Sequence, residues 1–97
     1  MREITYSDAI KEAVTEEMQA DENVVIFGQC VRGGIYPHNE GLVDKFGTDR
    51  VVDTPIAETA MAGLGIGSAL HGYRPILDYM FAGFSYNAMS EIAVAAA

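Results

Sequence analysis

Glu58 is the residue of this chain whose type and position best suit it for chemistry. Val51 and Val52 are typical of the end of a short strand. Thr54 followed by Pro55 predicts a helix start, because proline suits the first helical position, where no N–H partner is needed. Glu58 then lies in the first helical turn, near the carboxyl end of a strand, where open α/β sheets bind ligands. The alternative is that Glu58 only complements the helix dipole, and the pattern leaves both interpretations open.

Other residue types that often serve catalysis form no second constellation. His71 is predicted at a helix C-terminus, where a cation is favoured in any case, and His38 lies in a predicted loop. No His, Cys or Asp residues have the spacing of metal ligands, and no Ser/His/Asp arrangement stands out. The sequence therefore predicts no metal site on this chain.

The composition indicates one small acidic domain and argues against some classes of partner. Fourteen Asp and Glu against six Lys and Arg give a formal charge of −8, which disfavours nucleic acid and anionic membrane surfaces. The single Cys30 excludes an intramolecular disulfide and fits a reducing compartment. The apolar stretch Thr59–Leu70 is shorter than the ~20 residues of a membrane helix, and no secretory signal is visible. We therefore expect a soluble intracellular protein.

Hydrophobic periodicity predicts four helices that alternate with three strands. The predicted helices are one that Ser7 caps and Asp21 ends, a short one over Gly41–Phe46, one over Pro55–His71, and one from Ala88 onward. The predicted strands are Val24–Phe27, Arg50–Val52 and Pro75–Met80, and Gln29–Glu40 is a predicted loop. This alternation is typical of an α/β fold in which helices cover both faces of a parallel sheet.

The third predicted helix carries an unusual number of glycines. Gly63, Gly65 and Gly67 lack the spacing of a dinucleotide fingerprint and lie inside the helix rather than before it. Gly63 and Gly67 share one helical face with Ala60, and Ala62 is close by. Because each glycine costs a helix about 1 kcal/mol relative to alanine, we expect something to approach this face closely. The candidates are a neighbouring helix of the same fold and a second chain.

Several short motifs follow one another in an order that resembles a known family. They are Asp53-Thr-Pro-Ile-Ala-Glu58, Ala62-Gly-Leu-Gly-Ile-Gly67, Gly72-Tyr-Arg-Pro-Ile76 and Phe81-Ala-Gly-Phe84-Ser85. Together they resemble the start of the beta subunit of thiamine-diphosphate-dependent 2-oxo acid dehydrogenases, from Ile4 to Ala97. The resemblance implies a three-layer α/β/α fold with a mostly parallel sheet, like the pyrimidine-binding domain of transketolase. It implies that residues 1–97 are part of that domain, and the uncapped helical pattern of Glu91–Ala97 leads us to expect truncation inside a helix.

The resemblance also implies a cofactor site for thiamine diphosphate. Glu58 matches the catalytic glutamate, which hydrogen-bonds to the pyrimidine ring and so promotes removal of the thiazolium proton. Met80 and Phe84 match the residues that hold the pyrimidine, although large apolar residues there could equally be ordinary core. Gln29 departs from the pattern, because the family usually has an acidic residue after the glycine that ends the strand. This departure puts turnover, or the usual substrate, in doubt.

The resemblance finally implies partners. The chain lacks the motif that binds Mg²⁺ and the diphosphate, which in the family belongs to the alpha subunit. The expected partners are thus an alpha subunit, a second beta subunit at the glycine-rich helix, and a lipoyl acyltransferase component. The implied reaction is oxidative decarboxylation of pyruvate or a related 2-oxo acid with acyl transfer to lipoamide, in bacterial cytoplasm or the mitochondrial matrix. The alternatives are an acetoin or branched-chain 2-oxo acid dehydrogenase, and a non-catalytic partner-binding fragment.

Overall fold

A three-stranded parallel sheet organises the molecule, whose structure is a computed structural model that describes residues 1–97. The strands are β1, Val24–Gly28, β2, Val51–Asp53, and β3, Arg74–Asp78. Their order is β2-β1-β3, so β1 is central, with Gly28 opposite both Asp53 and Asp78. All three strands therefore end at one edge of the sheet.

Helices connect the strands in the alternation that the sequence predicts. The α-helices are α1, Tyr6–Ala20, α2, Leu42–Phe46, and α3, Glu58–Leu70. A 3₁₀ helix at Pro37–Asn39, here the 37–39 helix, interrupts the long loop after β1. A second at Ala82–Ala88, here the 82–88 helix, follows β3 and leads to a π-helical turn at Glu91–Ala95. None of these helices is long and apolar enough to cross a membrane.

Alternating residues of the strands face different helices. Val24 and Ile26 belong to the main buried cluster, which also contains Met18 of α1 and Leu42 of α2. On the other face α3 packs against β3, and Met61 is buried there. The expected layering of helices on both faces of a parallel sheet is therefore confirmed.

Two predicted helix starts are wrong. The N-cap of α1 is Thr5 rather than Ser7, because the Thr5 hydroxyl accepts the Asp8 N–H at 3.1 Å. Helix α3 begins at Glu58 rather than at Pro55. The Thr54 N–H donates to the Gly28 backbone oxygen at 3.0 Å, which keeps the segment after β2 against β1 and delays the helix.

The region after β3 also differs from the prediction. Strand β3 ends at Asp78, two residues before Met80, and the next helix begins at Ala82 with 3₁₀ geometry instead of at Ala88. The physical reason lies in the turn between them. Met80 has a left-handed backbone with φ of 66°, which ends the extended chain and costs a non-glycine residue about 1–2 kcal/mol.

The glycines of α3 divide between two environments. A β-carbon at Gly63 or Gly67 would meet no atom within 4 Å, so the expected neighbouring helix of the same fold does not lie against this face, and a second chain there stays a prediction. Ala62 is buried and does not belong to that face. The close approach occurs at Gly65, where a β-carbon would lie 2.8 Å from Cδ1 of Leu77 in β3. Gly65 therefore lets α3 lie close to the sheet.

Candidate functional site

The carboxyl edge of the sheet collects the residues that the sequence singles out. Gln29 follows the end of β1, Glu58 begins α3 after β2, and Met80 and Phe84 follow β3. The four residues thus reach one edge from three neighbouring strands, which is where parallel sheets bind ligands. They do not share one face, since Met80 lines a cavity of about 380 Å³ on the α1 face, and Glu58 opens α3 on the other.

Glu58 has a carboxylate that no other group of the chain engages. Its side chain makes no hydrogen bond or ion pair, although the residue is half-buried. Its backbone oxygen accepts a hydrogen bond from the Tyr79 hydroxyl at 3.1 Å, which connects the start of α3 to the end of β3. Burial raises the pKa of Tyr79, and the negative charge of Glu58 raises it further. The carboxylate is therefore held near the edge with its oxygens free for a ligand.

Aromatic rings surround the segment that contains Met80 and Phe84. Phe81 lies edge-on to Phe84 at a centroid distance of 5.6 Å and edge-on to Tyr36 at 6.0 Å. Phe84 is 40% exposed and Phe81 is 57% exposed. Both rings therefore keep free surface on which a flat ligand could stack. Thr59 of α3 donates its hydroxyl hydrogen to the Asn87 backbone oxygen at 2.7 Å, which holds the 82–88 helix against α3.

A second carboxylate, Asp78, is fully engaged by the chain itself. Its Oδ2 interacts with His38 Nε2 at 2.9 Å and accepts a hydrogen bond from Asn39 Nδ2 at 2.5 Å. Its Oδ1 accepts the Met80 N–H at 2.8 Å. Burial alone would raise the pKa of Asp78, but the hydrogen bonds from Asn39, Met80 and His38 together lower it below its usual value. The sequence pattern does not single out this cluster.

Gln29 lies at the centre of the edge, directly after the central strand. It is half-buried, and its amide makes no hydrogen bond within the chain. Cys30 follows with a left-handed backbone, φ of 55°. Gly28 precedes Gln29 at a point with no room for a side chain, since a β-carbon there would be 2.9 Å from the Asp78 backbone oxygen. Gln29 is therefore held at a fixed position between the ends of β2 and β3.

The chemistry of these groups fits the pyrimidine end of thiamine diphosphate. A free carboxylate, a thioether and partly exposed aromatic rings lie at one edge, and two buried polar atoms, Thr54 Oγ1 and Asn39 Oδ1, lack a partner within the chain. No group of three or more His, Cys, Asp and Glu side chains could hold a metal ion. The thioether, the partly exposed rings and the free carboxylate suit a flat heteroaromatic ring.

Sequence reasoning missed the residues that hold the candidate site in place. Asp78, His38, Asn39 and Tyr79 contact it through side-chain groups. A polar residue at the end of an apolar strand was a usable signal for Asp78. Nothing in the local pattern could have found His38, because its contact with Asp78 spans 40 residues of sequence.

Comparison with known proteins gives a consistent match. The family model described as "Transketolase, pyrimidine binding domain" matches residues 2–97. The pyruvate dehydrogenase E1 component subunit beta of Bacillus subtilis is 43% identical over 94 residues, which are 95% of this chain and 29% of that protein. The 2-oxoisovalerate dehydrogenase subunit beta of the same organism is 45% identical over 94 residues, with the same two shares. The mitochondrial pyruvate dehydrogenase E1 component subunit beta of Dictyostelium discoideum is 44% identical over 93 residues, or 94% of this chain and 26% of that protein.

The chain thus spans less than a third of the length of these relatives. Its parallel α/β architecture agrees with the matched family, and the match covers nearly the whole chain. The chain belongs to the transketolase pyrimidine-binding domain family.

Proposed function

We propose that the chain supplies the pyrimidine-binding part of the beta subunit of a thiamine-diphosphate-dependent 2-oxo acid dehydrogenase. The observation that carries the proposal is the Glu58 carboxylate, which is half-buried at the carboxyl edge and makes no hydrogen bond within the chain. Relatives named as beta subunits of pyruvate and 2-oxoisovalerate dehydrogenases, at 43% and 45% identity, support it. Residues 1–97 form part of the pyrimidine-binding domain on this proposal.

Glu58 is the catalytic residue of the proposal. Thiamine diphosphate, when bound, supplies a nucleophilic thiazolium carbon that attacks the carbonyl group of a 2-oxo acid. The Glu58 carboxyl group holds a proton against the pyrimidine ring nitrogen, and this hydrogen bond promotes removal of the thiazolium proton. The helix start places this group, because the Tyr79 hydroxyl binds the Glu58 backbone oxygen at 3.1 Å.

Three further residues bind and orient the pyrimidine ring. Phe84 offers a partly exposed aromatic face for offset stacking, and Met80 offers a soft thioether beside it. Gln29 lies directly after the central strand, where its amide can donate or accept a hydrogen bond. On this proposal these residues would contact the pyrimidine ring and orient it, and Glu58 would hydrogen-bond to it.

The remaining parts of the enzyme belong to other chains on this proposal. An alpha subunit holds the diphosphate and Mg²⁺, and a lipoyl acyltransferase component accepts the acyl group. A second beta subunit packs on the open Gly63 and Gly67 face of α3, where no atom of this chain would meet an added β-carbon. The compartment is bacterial cytoplasm or the mitochondrial matrix, and a mitochondrial relative from Dictyostelium discoideum is consistent with the second.

The test compares Glu58→Gln with wild type in the full-length chain assembled with its alpha subunit. Proton exchange at the thiazolium carbon should fall by ~100-fold or more, the usual contribution of a positioned acid or base. Cofactor affinity should change little, because glutamine keeps the shape and one hydrogen bond. Glu22→Gln, an exposed residue before the amino end of β1, is the matched control. If Glu58→Gln exchanges the thiazolium proton at the wild-type rate, Glu58 is not catalytic and only complements the helix dipole.

A non-catalytic partner-binding role is the second candidate, and Gln29 favours it. Its amide carries no charge where the resembling enzymes usually have an acid, so an assembly that binds cofactor without turnover is the expected result of this alternative. The Gln29→Glu variant distinguishes the two functions, because it should restore turnover only if the missing charge is the cause.

Assays with pyruvate, 2-oxoisovalerate and acetoin identify the substrate, since the relatives named for the first two are 43% and 45% identical.

A further inference from the structure

A network on the α1 face of the sheet controls the conformation of Met80. We propose that Asp78, anchored by His38 and Asn39, is a positioning residue that holds Met80 in the backbone conformation from which its side chain contacts the cofactor. The cofactor part of this inference rests on the proposed function. The positioning part stands on the geometry of the chain alone.

Met80 needs support from outside its own backbone. Its φ of 66° lies in the left-handed region, which side chains other than those of glycine and asparagine seldom adopt. The pairing of β3 with β1 stops at Asp78, so the sheet does not hold Met80. Its N–H donates to Oδ1 of Asp78 at 2.8 Å. A backbone bond from the Phe81 N–H to the Tyr79 oxygen at 2.8 Å closes the turn around Met80, and Asp78 supplies the side-chain contact that holds the Met80 N–H.

The Asp78 carboxylate is itself fixed from a distant part of the chain. Its second oxygen contacts His38 Nε2 at 2.9 Å and Asn39 Nδ2 at 2.5 Å. The ring of Tyr36 stacks on that of His38 with centroids 5.8 Å apart and an interplanar angle of 18°, which restricts the imidazole. Because both carboxylate oxygens are engaged, Asp78 cannot rotate away from Met80 without breaking contacts to the 37–39 helix.

The network also places Met80 in a defined space. Met80, His38, Asn39 and Asp78 all line the cavity of about 380 Å³ between α1 and the end of β3. Asn39 is 3% exposed, and its Oδ1 has no partner within the chain, so its amide is held by the one bond to Asp78. Loss of the carboxylate would remove the side-chain contacts to His38 and Asn39 and the contact to the Met80 N–H together.

The test uses ¹³C-methyl-methionine NMR on the full-length chain assembled with its alpha subunit. Met80→Leu identifies the Met80 methyl resonance among those of the other methionines. Asp78→Ala should shift and broaden that resonance, and should raise the dissociation constant of thiamine diphosphate about tenfold. Asp78→Asn keeps the Oδ1 acceptor for the Met80 N–H but replaces the Oδ2 acceptor of His38 and Asn39 with an NH₂ donor, so its affinity should lie between those of wild type and Asp78→Ala. Asp49→Ala, which removes an exposed aspartate in a loop, should match wild type in both measurements.

The outcomes separate the two parts of the inference. A Met80 resonance in Asp78→Ala that is identical to wild type overturns the positioning role. If thiamine diphosphate leaves the wild-type Met80 resonance unmoved while Asp78→Ala still shifts it, the proposed cofactor contact is wrong and the positioning of Met80 is supported. Should Asp78→Ala fail to assemble, His38→Ala removes one contact to the carboxylate and should shift the same resonance by less. An unmoved resonance in His38→Ala overturns the network.

Discussion

Two carboxylates at the same edge of the sheet have opposite surroundings. Asp78, on the α1 face, contacts His38, Asn39 and the Met80 N–H through both of its oxygens. Glu58, at the start of α3 on the other face, is only half-buried and makes no side-chain hydrogen bond. A carboxylate with partners at both oxygens keeps little acceptor capacity for a ligand, whereas a free one keeps all of it. The difference indicates a structural role for Asp78 and supports the proposed catalytic role of Glu58.

The two residues are also connected, because the segment after Asp78 contacts the start of the helix that carries Glu58. Tyr79 and Met80 follow Asp78 directly, and Tyr79 binds the Glu58 backbone oxygen at 3.1 Å. The engaged carboxylate thus fixes the segment that in turn contacts the helix carrying the free one. Rigid support beside an open reactive group is the arrangement that catalysis by positioned groups requires.

The largest expected difference is between alanine variants at the two carboxylates. Asp78→Ala should lower the free energy of unfolding by about 2–3 kcal/mol, because the buried Asn39 amide loses its acceptor. Glu58→Ala removes only a favourable charge near a helix N-terminus, worth about 0.3–1 kcal/mol. Urea unfolding of the full-length chain measures both values. Equal losses would erase the distinction between the two carboxylates.

Features of the fold that depend on local contacts could be predicted from the sequence, and features that depend on distant contacts could not. The alternation of elements and the carboxyl-edge position of Glu58 follow from periodicity and residue type. The start of α3 could not be found from Pro55, because the Thr54 N–H binds the Gly28 backbone oxygen of another strand. The left-handed Met80 likewise depends on packing.

The contact between His38 and Asp78 could not be predicted from sequence patterns for a related reason. Its two residues are 40 positions apart, and each is unremarkable in its own segment. Local rules describe hydrogen bonds within a turn or between helical neighbours. A side-chain network that joins a loop to the end of a strand exists only after the sheet has brought them together.

A smaller effect on stability is expected when each of two glycines of α3 is replaced by alanine. Gly65 lies against the sheet and Gly63 lies on the open face, so the two variants compare these faces. Gly65→Ala should destabilise by about 1 kcal/mol, because the new methyl group would lie 2.8 Å from Leu77 Cδ1 and must displace it. Gly63→Ala should stabilise the chain by up to about 1 kcal/mol, since helix propensity improves in open space. Thermal unfolding of both variants tests the pair.

In the assembled protein, Gly63→Ala also tests whether another chain packs on this face of α3. If another chain packs closely on this face, the added methyl group should weaken association even though it stabilises the helix. Sedimentation analysis of the full-length protein separates the two effects. Unchanged association would argue against a close partner at Gly63.

A still smaller loss is expected from Tyr79→Phe. The variant removes the hydroxyl that donates to the Glu58 backbone oxygen at 3.1 Å and keeps the ring. A single hydrogen bond of this kind contributes about 0.5–1 kcal/mol net. Tyr73→Phe is the matched control, since Tyr73 is exposed and its hydroxyl makes no hydrogen bond within the chain. Equal stability of the two variants would show that the hydroxyl of Tyr79 does not restrain α3.

The smallest expected effect is the dependence of the Asp78 contribution on pH. The pKa of Asp78 in the folded chain lies below its ordinary value of 3.8, because hydrogen bonds from Asn39, Met80 and His38 outweigh the opposite effect of burial. A lowered folded pKa means that the ionised carboxylate stabilises the fold at pH values above 3.8, and that this stabilisation is lost as the pH falls through the folded pKa. The effect is small because burial and hydrogen bonding oppose each other.

Asp78→Asn isolates this contribution, since asparagine keeps the Oδ1 acceptor for the Met80 N–H and does not ionise. The difference in unfolding free energy between wild type and Asp78→Asn should therefore decrease in acid, as the pH falls through the folded pKa of Asp78. Urea unfolding from about pH 2 to about pH 6 covers the window in which a carboxylate of this kind titrates. A difference that instead increases as the pH falls would mean that the folded pKa of Asp78 is raised, and that burial dominates over its three partners. In that case the contacts to His38, Asn39 and the Met80 N–H would fix the geometry of Asp78 without a net stabilisation of its charge.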